Sequence, residues 1–209
     1  MKLVLISDTH GQHLNLSLPK GDVLVHAGDI SKRGLKSEVT DFLEWFSSQD
    51  YKYKIFIAGN HDFCFEDMGS ELLAHMIPDD LIYLNDSGIE IEGIQFWGSP
   101  VQPRFYDWAF NRDRGGNIQK HWDMIPASTD VLITHGPPFE ILDTTDSGLR
   151  VGCEDLRETL HQLSVRCHVF GHIHESYGAV TKGNCFYANA SVLDQNYNLV
   201  NDPIVFSIK

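Results

Sequence analysis

The chain has 209 residues, of which 42% are hydrophobic and 22% are charged. This length predicts a single domain over residues 1–209, with a core large enough to fold without disulfides. The net charge of −13 argues against long nucleic acids and anionic membranes as partners. The N-terminal apolar run ends after Ile6 and is too short for a secretory signal. We therefore expect a cytoplasmic protein with four reduced cysteines.

Short apolar runs that end in polar clusters predict β-strands along the whole chain. The five clearest are LVLIS at 3–7, DVLVHAGD at 22–29, YKIFIAGNHD at 53–62, DVLITHG at 130–136 and CHVFGHIH at 167–174. Helical spacing predicts helices over 35–49, 66–77 and 151–163 between them. Strict alternation over 88–99 predicts a hairpin that turns at Gly93, and further strands follow near 184–191 and 202–208. Alternating strands and helices indicate an α/β protein, and the number of strands favours two sheets packed face to face.

The segment from residue 100 to residue 126 has no regular pattern but is rich in aromatic and arginine side chains. Long irregular segments in compact domains are usually functional or disordered, and the aromatic content argues against disorder. The segment therefore becomes a candidate for substrate recognition.

Polar clusters stand where the predicted strands end. They are Asp8-Thr9-His10, Gly28-Asp29, Gly59-Asn60-His61-Asp62, Thr134-His135-Gly136 and Gly171-His172-Ile173-His174. If the strands are parallel, all five clusters meet at one edge, where α/β proteins bind ligands. Residues i and i+2 leave an extended strand on the same face, which would pair Asp8 with His10 and His172 with His174.

These clusters supply two carboxylates, one amide and four imidazoles, in addition to His61. A single histidine at a strand end is more often structural than a ligand, but five ordered clusters favour a metal site. Oxygen and nitrogen ligands without thiolate suit Mn, Fe, Co, Ni or Zn. Seven ligands exceed the needs of one ion but suit two ions that clamp a phosphoryl group. No serine-elbow or phosphate-loop motif is present in the chain.

The ordered set D-x-H, G-D, G-N-H-D, H and G-H-x-H resembles the signature of calcineurin-like metallophosphoesterases. The segments GDVLVHAGDIS, WGSPVQPRFYDWAFN and HVFGHIHESYG are similar to the metallophosphoesterase-domain-containing (MPPED) subgroup. The resemblance implies a four-layer αββα sandwich of two mixed sheets and hydrolysis of small nucleotide phosphodiesters, such as cyclic nucleotides. Two divalent ions, with Mn foremost, would serve as cofactors, and a hydroxide that bridges them would attack phosphorus.

The resemblance also implies roles for individual residues. Asp8, His10 and His174 would hold one ion, Asn60, His135 and His172 the second, and Asp29 both. His61 would assist the leaving group, and Asp62 would accept a hydrogen bond from His61 and orient it. Asp62 stands where similar proteins carry Glu, whereas the final G-H-I-H motif is complete, which favours an active enzyme.

Substrate contacts are predicted from residue type alone. Arg33 follows Asp29 closely, and Arg104, Trp108 and Arg112 lie in the irregular segment, where aromatic faces can stack on bases and arginines can bind phosphate. The aromatic residues there could equally form a small core under the loop. A phosphomonoesterase or protein phosphatase, and a catalytically silent nucleotide-binding scaffold, remain the alternative functions.

Overall fold

Two mixed β-sheets form the centre of the computed structural model, which describes residues 1–209. The first has the order β13-β1-β2-β3-β4, and its strands are Lys2–Ile6 (β1), Val23–His26 (β2), Tyr53–Phe56 (β3), Ile82–Tyr83 (β4) and Ile204–Ser207 (β13). The four strands β1 to β4 are parallel, and β13 pairs with β1 in the antiparallel sense.

The second sheet has the order β11-β12-β10-β9-β6-β5. Its strands are Ser87–Ile91 (β5), Ile94–Ser99 (β6), Val131–Thr134 (β9), Cys167–Phe170 (β10), Gly178–Lys182 (β11) and Cys185–Asn189 (β12). The inner four are parallel, and the two edge strands β5 and β11 are antiparallel to their neighbours. Two short strands, Gln102–Pro103 (β7) and Asn111–Arg112 (β8), pair with each other within the segment 100–126, which has no regular sequence pattern.

Alternate residues of each central strand enter different cores, because successive side chains point to opposite faces of a sheet. Leu3, Leu5 and Val25 of the first sheet share one buried cluster with Ile133 and Val169 of the second, so the two sheets pack face to face. This burial removes apolar surface from water and is the main force that holds the sheets together.

Helices cover the outer face of each sheet. On the first sheet, the outward-facing Val4 and Leu24 pack with Val39, Phe42 and Phe46 of a helix at Lys36–Ser47 (α1). Two shorter helices, Phe63–Asp67 (α2) and Ser70–Met76 (α3), extend the same layer.

On the second sheet, Leu132 and Phe170 pack with Trp122 of the helix Gly116–Trp122 (α4) and Leu156 of the helix Glu154–Gln162 (α5). The four layers are therefore helix, sheet, sheet and helix, and the predicted αββα sandwich is confirmed. None of the five helices is long and apolar enough to span a lipid bilayer.

Two local details differ from the prediction. The helix expected over 66–77 is two helices, because Met68 and Gly69 between them are extended. The last predicted helix begins at Glu154 instead of 151, where the sulfur of Cys153 accepts a hydrogen bond from the Leu156 amide. The hairpin is confirmed, and its turn uses both Glu92 and Gly93 at positive φ, which matches the twist of the paired strands.

Candidate metal centre

The polar clusters meet where the carboxyl ends of β1, β2, β3, β9 and β10 lie side by side. Backbone hydrogen bonds join the loops that follow these strands: the Asp8 amide donates to the Gly28 carbonyl at 2.9 Å, and the Gly171 amide donates to the His135 carbonyl at 2.9 Å. Contacts between the two sheets continue into the site, because the His172 amide donates to the Asp8 carboxylate at 3.1 Å and His135 Nδ1 donates to the Ala27 carbonyl at 3.0 Å.

The ligand pairs are brought together by a left-handed backbone, and the sequence argument from alternation was wrong on this point. β1 ends at Ile6, and Asp8 and His10 then adopt φ values of 56° and 42°. Asp29 and His172 also lie at positive φ, at 57° and 69°. Such conformations are unfavourable for residues with a Cβ and persist where surrounding structure imposes them, often at functional sites.

Four histidines share one hydrogen-bonding pattern. The Nδ1 atoms of His10, His61, His135 and His174 lie 2.7–3.0 Å from the backbone carbonyls of Ser31, Lys32, Ala27 and Asp194. A carbonyl can only accept, so each Nδ1 carries the proton. The Nε2 atom is then the free ligand atom, which is the arrangement that metal-binding histidines use.

Carboxylates face these Nε2 atoms. Asp29 Oδ2 lies 3.5 Å from His10 Nε2 and 3.4 Å from His135 Nε2, and Asp8 Oδ1 lies 3.4 Å from His174 Nε2. Three groups of possible ligand atoms lie within 4.8 Å of one another: Asp8, His10 and His174; His10, Asp29 and His61; and Asp8, Asp29 and His135. Asp8 and Asp29 each belong to two of these three groups, so each carboxylate lies close to several histidines.

One buried nitrogen of the centre has no hydrogen-bond partner in the protein. His10 Nε2 is buried and makes no hydrogen bond, which is costly for a polar atom unless something else binds it. Asn60 Oδ1 lies 2.8 Å from His135 Nε2, and the His172 ring lies 5.0 Å from that of His135. The mixture of carboxylate, amide and imidazole groups suits divalent transition metals, and the unpaired Nε2 atom of His10 is available to bind one.

Three glycines let the backbone approach the ligands closely. A Cβ at Gly28 would lie 2.6 Å from His135 Nδ1, and one at Gly59 would lie 2.7 Å from His135 Cε1. A Cβ at Gly171 would overlap Asp8 Oδ2. The glycine in each motif is therefore required by the space around the ligand next to it.

The charges in the centre are mutually stabilising. Burial alone would raise the pKa of Asp8 and Asp29, but neighbouring histidines outweigh burial and hold both pKa values well below the ordinary range. Burial likewise lowers the pKa of His135 and His174, but Asp29 and Asp8 outweigh it and raise both to about 9. Without a metal, protons on these histidines offset the buried carboxylates, and a bound cation would take over that role.

The predicted hydrogen bond from His61 to Asp62 is wrong. The Nδ1 atom of His61 instead pairs with the Lys32 carbonyl at 2.7 Å. The carboxylate of Asp62 is fully buried and accepts hydrogen bonds from the amides of Gly59, Ile30 and Ser31 and from the Ser31 hydroxyl. Asp62 thus ties the turn after Asp29 to the turn that carries Asn60 and His61.

Three of the predicted substrate residues line cavities at the centre. Trp108 stacks on His61, with 4.1 Å between ring centroids, and lines a cavity of about 230 Å³ that also contains Asp29 and His174. Arg33 lines an adjoining cavity of about 520 Å³ with Trp108. Arg104 lines a third cavity, of about 380 Å³, on the side of His172.

The fourth residue, Arg112, lines none of these three cavities. Its guanidinium pairs with Glu66 at 3.2 Å and lies 3.3 Å from His121. Phe110, from the same segment, is 3% exposed and belongs to the core under the first sheet. The segment therefore divides into residues that face the centre and residues that support the loop.

Sequence reasoning missed Tyr197, whose ring lies 4.9 Å from His10 and 5.5 Å from His174. It also missed Ser191, whose hydroxyl donates to Asp8 at 2.6 Å, and Asp194, whose carbonyl orients His174. These residues follow β12 in a loop without a metal-ligand motif. The only local sequence feature that could have indicated them is the polar segment NAS at 189–191, which ends an apolar strand as the metal-site clusters do.

The fold and the centre together define a metal-dependent phosphoesterase. The family model of calcineurin-like phosphoesterases matches residues 1–176, and the chain belongs to that family. Metallophosphoesterase domain-containing protein 1 of Homo sapiens is 42% identical over 233 residues, which cover 99% of this chain and 71% of that protein.

A more distant relative is a probable glycerophosphodiester phosphodiesterase of Arcobacter nitrofigilis, which is 27% identical over 172 residues, or 78% of this chain and 60% of that protein. Among solved structures, one superposes with a TM-score of 0.68 at 14% identity and covers 90% of this chain and 89% of its own. That likeness shows a shared fold.

Proposed function

We propose that the protein is a cytoplasmic phosphodiesterase that holds two divalent ions, with Mn²⁺ foremost, and hydrolyses small nucleotide diesters such as cyclic nucleotides. The observation that carries this proposal is the shared orientation of His10, His135 and His174. Each has its Nδ1 atom on a backbone carbonyl and presents its Nε2 atom to Asp8 or Asp29. Side chains held in this way are preorganised for metal binding before any ion arrives.

The ligands divide into two sets around Asp29. Asp8, His10 and His174 would hold one ion, and Asn60, His135 and His172 would hold the other. Asp29 stands between the two sets, since its Oδ2 atom faces both His10 and His135 at 3.4–3.5 Å. When bound, a pair of such ions neutralises phosphate charge and lowers the pKa of water, which makes hydroxide available near neutral pH.

His61 is suited to protonate the leaving oxygen of the ester. Its Nδ1 atom is occupied by the Lys32 carbonyl, so its Nε2 atom is the one free to transfer a proton, and it lies 4.0 Å from Asp29 Oδ2. The ring is held between contacts with Trp108 and with the edge of His10. An alkoxide is a poor leaving group, so a proton donor at this position speeds diester cleavage.

A diester substrate is favoured because the probable glycerophosphodiester phosphodiesterase among the relatives carries that activity in its name. The test is hydrolysis of bis-p-nitrophenyl phosphate and of p-nitrophenyl phosphate by metal-stripped protein with added Mn²⁺, with EDTA as the control. We expect turnover of the diester that requires metal. Turnover of the monoester alone would favour a phosphatase, and no turnover of either by protein with two bound metals would favour a silent nucleotide-binding scaffold.

Two variants separate metal binding from chemistry. Asp29→Ala should lose both ions, as measured by metal content after gel filtration, because both ligand sets share this carboxylate. His61→Ala should keep both ions and lose about 10²–10⁴-fold in turnover, the usual contribution of a general acid. Normal turnover by His61→Ala would contradict the role of His61 as proton donor. Full metal content in Asp29→Ala would contradict the assignment of Asp29 to both ions.

A further inference from the structure

A cavity of about 380 Å³ adjoins the metal centre on the side of His172. It shares Phe105, His172 and Glu175 with the cavity that contains Asp29 and His174, so the two cavities lie next to each other. The adjoining cavity reaches away from the reacting centre and can hold a part of the substrate that is not cleaved.

Three of the seven arginines in the chain line this cavity: Arg104, Arg114 and Arg150. Its lining contains one carboxylate, that of Glu175. In a chain with a net charge of −13, this grouping concentrates guanidinium groups on one wall, although each of the three arginines lies near a carboxylate outside the lining. The planar guanidinium group of arginine can donate two parallel hydrogen bonds to one phosphate, which makes arginine well suited to phosphate binding.

The arginines retain donors for a ligand. Arg104 uses its Nε atom for Asp113, and both side chains are more than half exposed. Arg150 approaches the buried Asp143 only at 3.7 Å, which is longer than a hydrogen bond. The exposed Arg104–Asp113 pair is weak and the Arg150–Asp143 contact is long, so a phosphate can compete for both guanidinium groups.

Arg114 is held more firmly than the other two. Its Nη1 atom donates to the Gly152 carbonyl and pairs with Glu154, and its Nη2 atom donates to the Val151 carbonyl. These contacts fix the position of its charge at the wall of the cavity. Phe105, which is 52% exposed, stands where the two cavities meet and offers a face for a base.

We propose that this arginine cavity binds a second phosphate of the substrate, so that the preferred substrates are small nucleotide diesters with an additional terminal phosphate. The inference rests on the proposed function. The diester lies at the metal centre, the base lies near Phe105, and the second phosphate reaches Arg104 and Arg150.

The catalytic test compares adenosine 2′,3′-cyclic phosphate with the same compound carrying a 5′-phosphate. We expect kcat/KM to be at least about tenfold higher for the 5′-phosphorylated compound. One hydrogen bond to a charged group typically changes an affinity by about this factor. Arg104→Gln and Arg150→Gln should each reduce this preference. Arg157→Gln, which removes the same charge from α5 away from this cavity, should keep it. Equal kcat/KM for the two compounds, or an unchanged preference in both variants, would overturn the proposal.

A binding experiment distinguishes failure of this proposal from failure of the proposed function. Adenosine 3′,5′-bisphosphate and adenosine 3′-monophosphate are titrated calorimetrically into protein in EDTA, where no turnover occurs. Binding of the bisphosphate at least tenfold more tightly, with the difference lost in Arg104→Gln, supports the arginine cavity even if neither cyclic compound is hydrolysed. Equal affinities refute the cavity as a phosphate site, whether or not the diesters are cleaved.

Discussion

Substitution of Gly171 by alanine tests how far close packing fixes Asp8, the first candidate metal ligand in the chain. A Cβ at this position would overlap Asp8 Oδ2 and Ser7 Oγ and would lie 2.7 Å from Ser7 Cβ. Ser7 and Asp8 are both fully buried, so neither can move into solvent to relieve the overlap. Overpacking of this kind typically costs about 1–3 kcal/mol in the free energy of unfolding. In a domain of this size, that corresponds to a fall of roughly 2–12 °C in Tm.

Displacement of Asp8 should also weaken metal binding in Gly171→Ala. We expect about 10–100-fold lower affinity, the usual loss when the surroundings of a metal ligand are disturbed. Thermal unfolding in EDTA measures the packing cost, and calorimetric titration with Mn²⁺ measures the loss of affinity. Gly116→Ala is the matched control, because no atom lies within 4 Å of its added Cβ. Wild-type Tm and metal affinity in Gly171→Ala would refute the argument from packing.

Two further predictions concern aromatic and histidine side chains. Trp108→Leu should lower kcat about two- to tenfold without changing metal content, because it removes the ring stacked on His61; an unchanged kcat would show that the stacking does not position His61. Burial lowers the pKa of His168 to about 3, so the unfolded chain binds more protons below pH 6.5. The free energy of unfolding should therefore fall as the pH drops from 6.5 towards 3, by about 1.4 kcal/mol per unit from this residue. Urea titrations should show a shallower fall for His168→Gln, but not for a matched variant of the exposed His161, and equal slopes would contradict the assignment.

The cause of the His168 shift is visible in its contacts. The Thr134 hydroxyl donates to the Gly136 carbonyl, so it accepts from His168 Nε2 at 2.8 Å. The Nδ1 atom of His168 is buried without a partner. A proton added there would introduce a buried charge with an unsatisfied N–H group, which explains why the neutral ring is favoured.

The positions of the metal-site candidates were predictable from sequence because they depend on topology. Parallel strands end at one edge, so polar residues after consecutive strands must meet there, and Asp8, Asp29 and His135 do so. The backbone conformation was not predictable by the same route. Alternation assumes an extended chain, whereas the turn after β1 is left-handed at both Asp8 and His10.

The partners of the predicted residues were harder to foresee, because many of them are backbone carbonyls. The carbonyl that orients His61 belongs to Lys32, and a carbonyl has no sequence signature. Asp62 was assigned to His61 because the two are adjacent, yet its carboxylate turns towards backbone amides. Tyr197 reaches the centre from a loop near the other end of the chain, and no local pattern marks such a contact.

The charge distribution reconciles an acidic protein with an anionic substrate. Two divalent ions would outweigh Asp8 and Asp29, and cationic side chains flank the centre on both sides, with Arg33 in one cavity and Arg104 and Arg150 in the other. The surrounding excess of acidic residues repels long polyanions, whose many phosphates extend beyond these cavities. In the proposed binding mode, all phosphates of a small nucleotide lie within the cationic region. The same distribution supports the proposal that the substrate is a short phosphodiester and argues against a long nucleic acid.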